Sequence, residues 1–198
     1  MKKVTILTLA LQKQNKIPLT MVTAYDYPTA FLVEKAGVDM VLVGDSLGMV
    51  VQGEENTLAV TVEEMIYHTK AVKKGLRRAL LIVDMPFGSY KISVTEAVRN
   101  AHRVVKESGA EVVKLEGGQE IVETVQAIVQ AGIPVMGHIG LTPQSINALG
   151  GYFVQGKMAE DAEKLINEAK ELNELGCCSI VLECVPSELA KVITESID

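Results

Sequence analysis

Residues 93–118 read Ser93-Val-Thr-Glu-Ala-Val-Arg-Asn-Ala-His-Arg-Val-Val-Lys-Glu-Ser-Gly-Ala-Glu-Val-Val-Lys-Leu-Glu-Gly-Gly118 and hold one complete helix-to-strand unit. Ser93 with Glu96 fits the S/T-x-x-E capping box, and Val94–Ser108 has a helical period. Gly109 falls where a left-handed residue closes a helix. The chain then runs apolar through Val112–Glu116, a strand in which Lys114 and Glu116 share a face because side chains alternate.

The same unit recurs in both directions. Candidate strands lie at Leu19–Tyr25, Met40–Asp45, Leu80–Asp84, Ile133–His138 and Ser179–Glu183, several apolar nearly throughout, as parallel strands covered on both faces read. Helical stretches fall at Pro28–Ala36, Val62–Lys74, Glu120–Gln130 and Ala159–Leu175, with a last one from Ser187 and an amphipathic helix within residues 1–16. Thr61 with Glu64 makes a second capping box, and Thr142 before Pro143 suits an N-cap with a first-turn proline. Gly37, Gly75, Gly132 and Gly176 are expected to close helices as Gly109 does.

Alternating βα units with no linker or low-complexity tract describe one α/β domain over residues 1–198. A doubly wound dinucleotide fold lacks its Gly-x-Gly-x-x-Gly signature after the first strand. Asp45, Asp84, Glu116, His138 and Glu183 instead end successive strands, where (β/α)8 TIM barrels concentrate their chemistry. Such a barrel takes eight units and typically about 250 residues, so this reading supplies six and expects two more beyond the C-terminus.

Composition narrows the function classes. A hydrophobic content of 48% suffices for a sizeable core, and 19 basic against 25 acidic residues, with no basic run, offers little to nucleic acid or an anionic membrane. Three cysteines without zinc-site or disulfide spacing read as reduced thiols of a cytoplasmic protein. A small-molecule partner is expected.

On alternation, Val43 with Asp45, Ile82 with Asp84 and Val181 with Glu183 can all face inward alongside Lys114 and Glu116. Three neighbouring carboxylates would suit a hard divalent cation such as Mg²⁺. Each also has a bland reading, Asp45 and Asp84 as caps and Glu116 as a turn residue before two glycines. His138 could be a satisfied barrel histidine or a ligand-bonding one. Glu183 ends an apolar strand, where burial would suit a general base, and an ion pair with Lys114 is the alternative.

Several segments together are distinctive: Thr23-Ala-Tyr-Asp26, Val43-Gly-Asp-Ser-Leu-Gly-Met49, Tyr67-His-Thr69, Val113-Lys-Leu-Glu-Gly-Gly118, Gly137-His-Ile-Gly-Leu-Thr-Pro-Gln-Ser145, Gly150-Gly-Tyr152 and Leu182-Glu-Cys-Val-Pro186. The chain resembles the ketopantoate hydroxymethyltransferases. The resemblance implies magnesium at Asp45, Asp84 and, through water, Glu116, with Ser46 and Lys114 contacting the α-keto acid. It implies Glu183 as general base, His138 in the same pocket, 5,10-methylenetetrahydrofolate as one-carbon donor to 3-methyl-2-oxobutanoate, and a homodecamer. Two other readings stand beside it: a carbon–carbon lyase or mutase of the phosphoenolpyruvate type, and a non-catalytic shortened subunit.

Overall fold

The computed structural model describes residues 2–197; Met1 and Asp198, the two ends of the expected domain, lie outside them. Six parallel strands form one sheet in sequential order: β1 (Met21–Thr23), β2 (Met40–Val43), β3 (Leu80–Asp84), β4 (Val112–Glu116), β5 (Val135–Gly140) and β6 (Ser179–Glu183). The helices are α1 (Ile6–Gln14), α2 (Tyr27–Ala36), α3 (Leu47–Val50), α4 (Val62–Gly75), α5 (Val94–Ser108), α6 (Val122–Gln130), α7 (Ile146–Leu149), α8 (Ala159–Glu174) and α9 (Ser187–Ser196).

Alternation along the strands divides the core in two. Met40, Leu42, Leu80, Ile82, Val112 and Met136 form the inner cluster, joined at its base by Val4 and by Leu9 of α1. Val41, Val43, Leu81, Val83, Val113, Leu115 and Val135 face the other way, against Met65, Val72, Ala101, Val104, Val125 and Leu172 of the surrounding helices. A sheet with a filled concave face and a helix-covered convex face is a curled half-barrel of α/β type. Burying each Leu, Ile, Val or Met there contributes about 1.5–3 kcal/mol relative to exposure, and β2–β5 are buried along almost their whole length. β1 is exposed and β6 half-buried, because each has a strand partner on one side among the described residues.

Local signals account for the helix ends. The Thr61–Glu64 capping box is complete, and Ser93 accepts from the Glu96 backbone N–H without the reciprocal bond. Thr142 makes no side-chain cap, and Pro143–Ser145 is a tight 3₁₀ turn leading into α7. Gly37, Gly109, Gly132 and Gly176 are left-handed, as expected. Gly75 is not: it ends α4 in helical conformation, and a Cβ there would stand 2.8 Å from both the Ala30 Cβ and the Phe31 amide nitrogen. The residue is small because α4 lies directly against α2.

Candidate active site

Strand register assembles the polar cluster. Asp84 pairs with Lys114, and Glu116 with His138, across adjacent strands. All four side chains are buried on the concave side at the C-terminal strand ends. Lys114 Nζ lies 2.8 Å from Asp84 Oδ1, 3.1 Å from His138 Nδ1 and 3.7 Å from Glu116 Oε1. The Asp84 contact is an ion pair without hydrogen-bond alignment, so Oδ1 has no hydrogen-bond donor among the described residues. Asp84 Oδ2 accepts the Asp45 backbone N–H at 3.0 Å.

Asp45 reaches the cluster by a route that strand alternation does not describe. β2 stops at Val43, whose side chain packs outward against the helices, so Val43 and Asp45 do not share an inward face. The turn through Gly44 re-aims Asp45, and a Cβ on Gly44 would stand 2.7 Å from Ser46 Oγ and 3.4 Å from Asp84 Oδ2. Ser46 Oγ shares a 2.8 Å hydrogen bond with Tyr25 Oη, and His68 Nδ1 lies 2.7 Å from the Tyr25 carbonyl oxygen.

Glu183 also differs from expectation. Its side chain is 41% exposed, because β6 borders the open side of the half-barrel, so it is not a buried carboxylate. Its Oε2 stands 3.2 Å from His138 Nε2, again without hydrogen-bond alignment.

Electrostatics follow from three buried carboxylates around one lysine. Burial, then the neighbouring Asp84 and Glu116 charges, pushes Asp45 up to about 7. Burial raises Asp84 despite the opposing Lys114 charge. Glu116 is held below the usual range, because the nearby His138 ring, the Lys114 charge and the Gln144 backbone N–H outweigh burial. Burial would strip Lys114 of its proton, but Asp84 and Glu116 overcome it and raise the ammonium. Burial and Lys114 work against the His138 proton, yet Glu116 and Glu183 on either side leave it raised. Nδ1 faces both Lys114 and Glu116: in the neutral ring it accepts from Lys114 when the single proton sits on Nε2, towards Glu183.

Two further residues belong to the cluster without having been expected there. Gln144 lies in the turn after β5, and its side-chain amide donates to Asp45 Oδ2 at 2.7 Å and to the Met85 carbonyl at 2.9 Å. Tyr90 is 1% exposed, with its hydroxyl 2.7 Å from Gln144 Oε1 and 3.0 Å from the Glu116 carbonyl oxygen. Burial and the Glu116 charge hold that phenol well above its ordinary pKa, so it stays a donor. Nothing periodic marks either residue, because their partners lie between 26 and 99 positions away.

Among the described residues no three His, Cys, Asp or Glu side chains converge as a ready metal cage; Lys114 and Gln144 stand among the carboxylates instead. A cavity of about 910 Å³ lies elsewhere, at the strand starts between α1, β6 and α9, with a mainly apolar lining that includes Ile6, Cys178 and Ile197. It lies on the open side of the half-barrel, away from the carboxylate cluster.

The fold is shared with solved structures of low identity. A 2,3-dimethylmalate lyase of the PEP mutase/isocitrate lyase superfamily aligns with TM-score 0.69 at 16% identity, over 99% of this chain and 69% of that one. A phosphonopyruvate hydrolase complex with oxalate and Mg²⁺ aligns with TM-score 0.69 at 12% identity, over 97% and 68%. Sequence relatives are much nearer. The 3-methyl-2-oxobutanoate hydroxymethyltransferase of Thermoanaerobacter sp. is 57% identical over 196 residues, 99% of this chain and 72% of the relative. That of Carboxydothermus hydrogenoformans is 57% identical over 197 residues, 100% of this chain and 71% of the relative. The family model described as ketopantoate hydroxymethyltransferase matches residues 3–198. With that match and these identities, the chain belongs to the ketopantoate hydroxymethyltransferase family.

Proposed function

We propose that this chain transfers a hydroxymethyl unit from 5,10-methylenetetrahydrofolate to 3-methyl-2-oxobutanoate, giving 2-dehydropantoate for pantothenate and coenzyme A synthesis. The observation that carries the reading into the site is the buried excess of carboxylates: Asp45, Asp84 and Glu116 against Lys114. Buried charges need partners, and three buried carboxylates around a single ammonium, with Asp45 pushed up to about 7, describe a pocket short of positive charge. Carboxylate oxygens in that number suit a hard divalent cation. Asp45 and Asp84 would hold magnesium directly and Glu116 through water. Bound there, magnesium would supply a Lewis acid that polarises the keto acid's carbonyl and makes its C3 proton more acidic.

The chain's own groups divide the remaining work. Ser46, oriented by Tyr25, donates to the keto acid, and Lys114 offsets negative charge at its carboxylate. Glu183 takes the C3 proton; its half-exposed carboxylate is accessible to substrate. His138 faces that carboxylate from β5 at 3.2 Å. The electron pair left at C3 then forms the bond to the one-carbon unit; water supplies the hydroxyl oxygen, both bonds of that carbon to the folate nitrogens break, and tetrahydrofolate leaves carrying the protons from C3 and water, with no side chain acting as a covalent nucleophile.

A carbon–carbon lyase acting on a doubly charged oxo acid would need a second buried cation. Among the described residues Lys114 is the sole buried lysine or arginine, which suits an uncharged branched side chain instead. The same reading extends to a closed (β/α)8 barrel with further βα units joining β6 to β1, a homodecamer, and a cytoplasmic setting. No helix among the described residues is long and apolar enough to cross a membrane.

Proton NMR of the keto acid in deuterated solvent tests the proposal. The chain with Mg²⁺ should exchange the C3 proton before folate is added and form 2-dehydropantoate afterwards. Exchange indifferent to chelation of the metal, or no product with folate present, would overturn it.

A further inference from the structure

Gln144 occupies an unusual position among the carboxylates. Both N–H bonds of its side-chain amide are committed, one to Asp45 Oδ2 at 2.7 Å and one to the Met85 carbonyl at 2.9 Å. Its Oε1 receives the Tyr90 hydroxyl at 2.7 Å, and its backbone N–H donates to Glu116 Oε2 at 3.0 Å. One residue of the β5–α7 turn therefore grips carboxylates delivered by β2 and β4, strands that are not neighbours in the sheet. Because both partners of its nitrogen, Asp45 Oδ2 and the Met85 carbonyl, are acceptors, the amide has a single orientation, with Oε1 facing the Tyr90 hydroxyl. Tyr90 is itself held from both sides, because the Glu116 backbone N–H donates to its oxygen at 3.1 Å.

The consequence lies in which oxygens remain. Gln144 caps Oδ2 of Asp45 and Oε2 of Glu116, leaving Oδ1 of Asp45 without a partner among the described residues and Oε1 of Glu116 towards Lys114 and His138. We propose that Gln144, seated by Tyr90, is a positioning residue that fixes Asp45 and Glu116 so that one chosen oxygen of each is offered to a divalent cation. This deepens the reading of the site given above and rests on it. Groups that hydrogen-bond metal ligands orient them, and losing such a group costs about 10–100-fold in metal affinity or activity.

Gln144→Met keeps the length and removes every side-chain hydrogen bond, while Tyr90→Phe removes one oxygen and leaves the amide in place. Titration calorimetry of the full chain with Mg²⁺ alone, paired with thermal unfolding, reads the effect apart from turnover. Gln144→Met should weaken Mg²⁺ by about 10–100-fold, and Tyr90→Phe should move it the same way by less. Raising Mg²⁺ should restore the C3 exchange rate of both variants, because the base is untouched; a residue serving only the fold would move the melting temperature without that rescue. Wild-type Mg²⁺ affinity in a folded Gln144→Met protein overturns the inference. If that variant does not fold, wild-type affinity in Tyr90→Phe overturns it. A wild-type chain with no Mg²⁺ affinity overturns the site reading beneath it, a different and separable result.

Discussion

His138 Nε2 stands 3.2 Å from Glu183 Oε2, joining a side chain sealed within the half-barrel to one that is 41% exposed on its border strand. The pair links the interior charge network, through His138 Nδ1 and Lys114, to a carboxylate accessible to substrate. A base in that position can be tested before folate enters the reaction. Glu183→Gln keeps the shape and loses the basicity, so C3 deuterium exchange should slow by about 10²–10⁴-fold while keto-acid binding changes much less. Exchange at the wild-type rate would transfer the role to His138.

Asp84→Asn removes the charge beside Lys114 and one proposed metal ligand. Mg²⁺ and keto-acid affinity should fall together in calorimetry, with the far-ultraviolet circular dichroism retained. Equal keto-acid affinity with and without magnesium, in both proteins, would remove the chelate.

Asp45 is pushed up to about 7, so a cation that needs its carboxylate ionised competes with a proton below that pH. Magnesium affinity should climb by up to about tenfold per pH unit below 7 and level off above. The sign for stability is opposite. A carboxyl raised in the folded state binds its proton more tightly than in the unfolded chain, so its contribution is present at acid pH and lost as pH rises towards 7. Chemical denaturation of metal-free wild type and Asp45→Asn between about pH 4.5 and 8 should show the wild type losing ground steadily, relative to the variant, as pH rises.

Gly75→Ala tests the α2–α4 contact. Its methyl group would meet the Ala30 Cβ and Phe31 backbone at 2.8 Å, and overpacking of this kind costs about 1–3 kcal/mol. Gly53→Ala, with open space around it, has no such clash, and the strain of its left-handed backbone is about 1–2 kcal/mol. Gly75→Ala should shift the urea midpoint although alanine is the better helix former.

The three thiols should separate by rate. Cys184 is exposed, whereas burial pushes Cys177 up to about 12 and raises Cys178. The thiolate is the nucleophile, so a disulfide reagent at neutral pH should modify one thiol quickly and two slowly in the native protein, and all three at equal rates in denaturant. Rapid loss of all three without denaturant would contradict this arrangement.

Much of the architecture is set within a few residues along the chain. The predicted spans of β3, β4, β6 and α5 coincide with the observed ones, because a short continuous apolar run, a capping serine or a left-handed glycine acts locally. The same locality put Asp84, Lys114, Glu116 and His138 at strand ends, where regular alternation selects the face. What tertiary structure alone decided depends on other segments. The direction of Asp45 follows from β2 ending at Val43 and a turn at Gly44, against the alternation its sequence implies. The exposure of Glu183 depends on which strands flank β6, and the size limit at Gly75 on α2 lying alongside. Gln144 and Tyr90 meet their partners through the curl of the sheet, over separations of 28 and 99 residues for Glu116 and Asp45 and 54 for each other. Sequence period carries information about a residue's own element; hydrogen bonds between loops from different strands are specified by register and curvature, which no single segment contains.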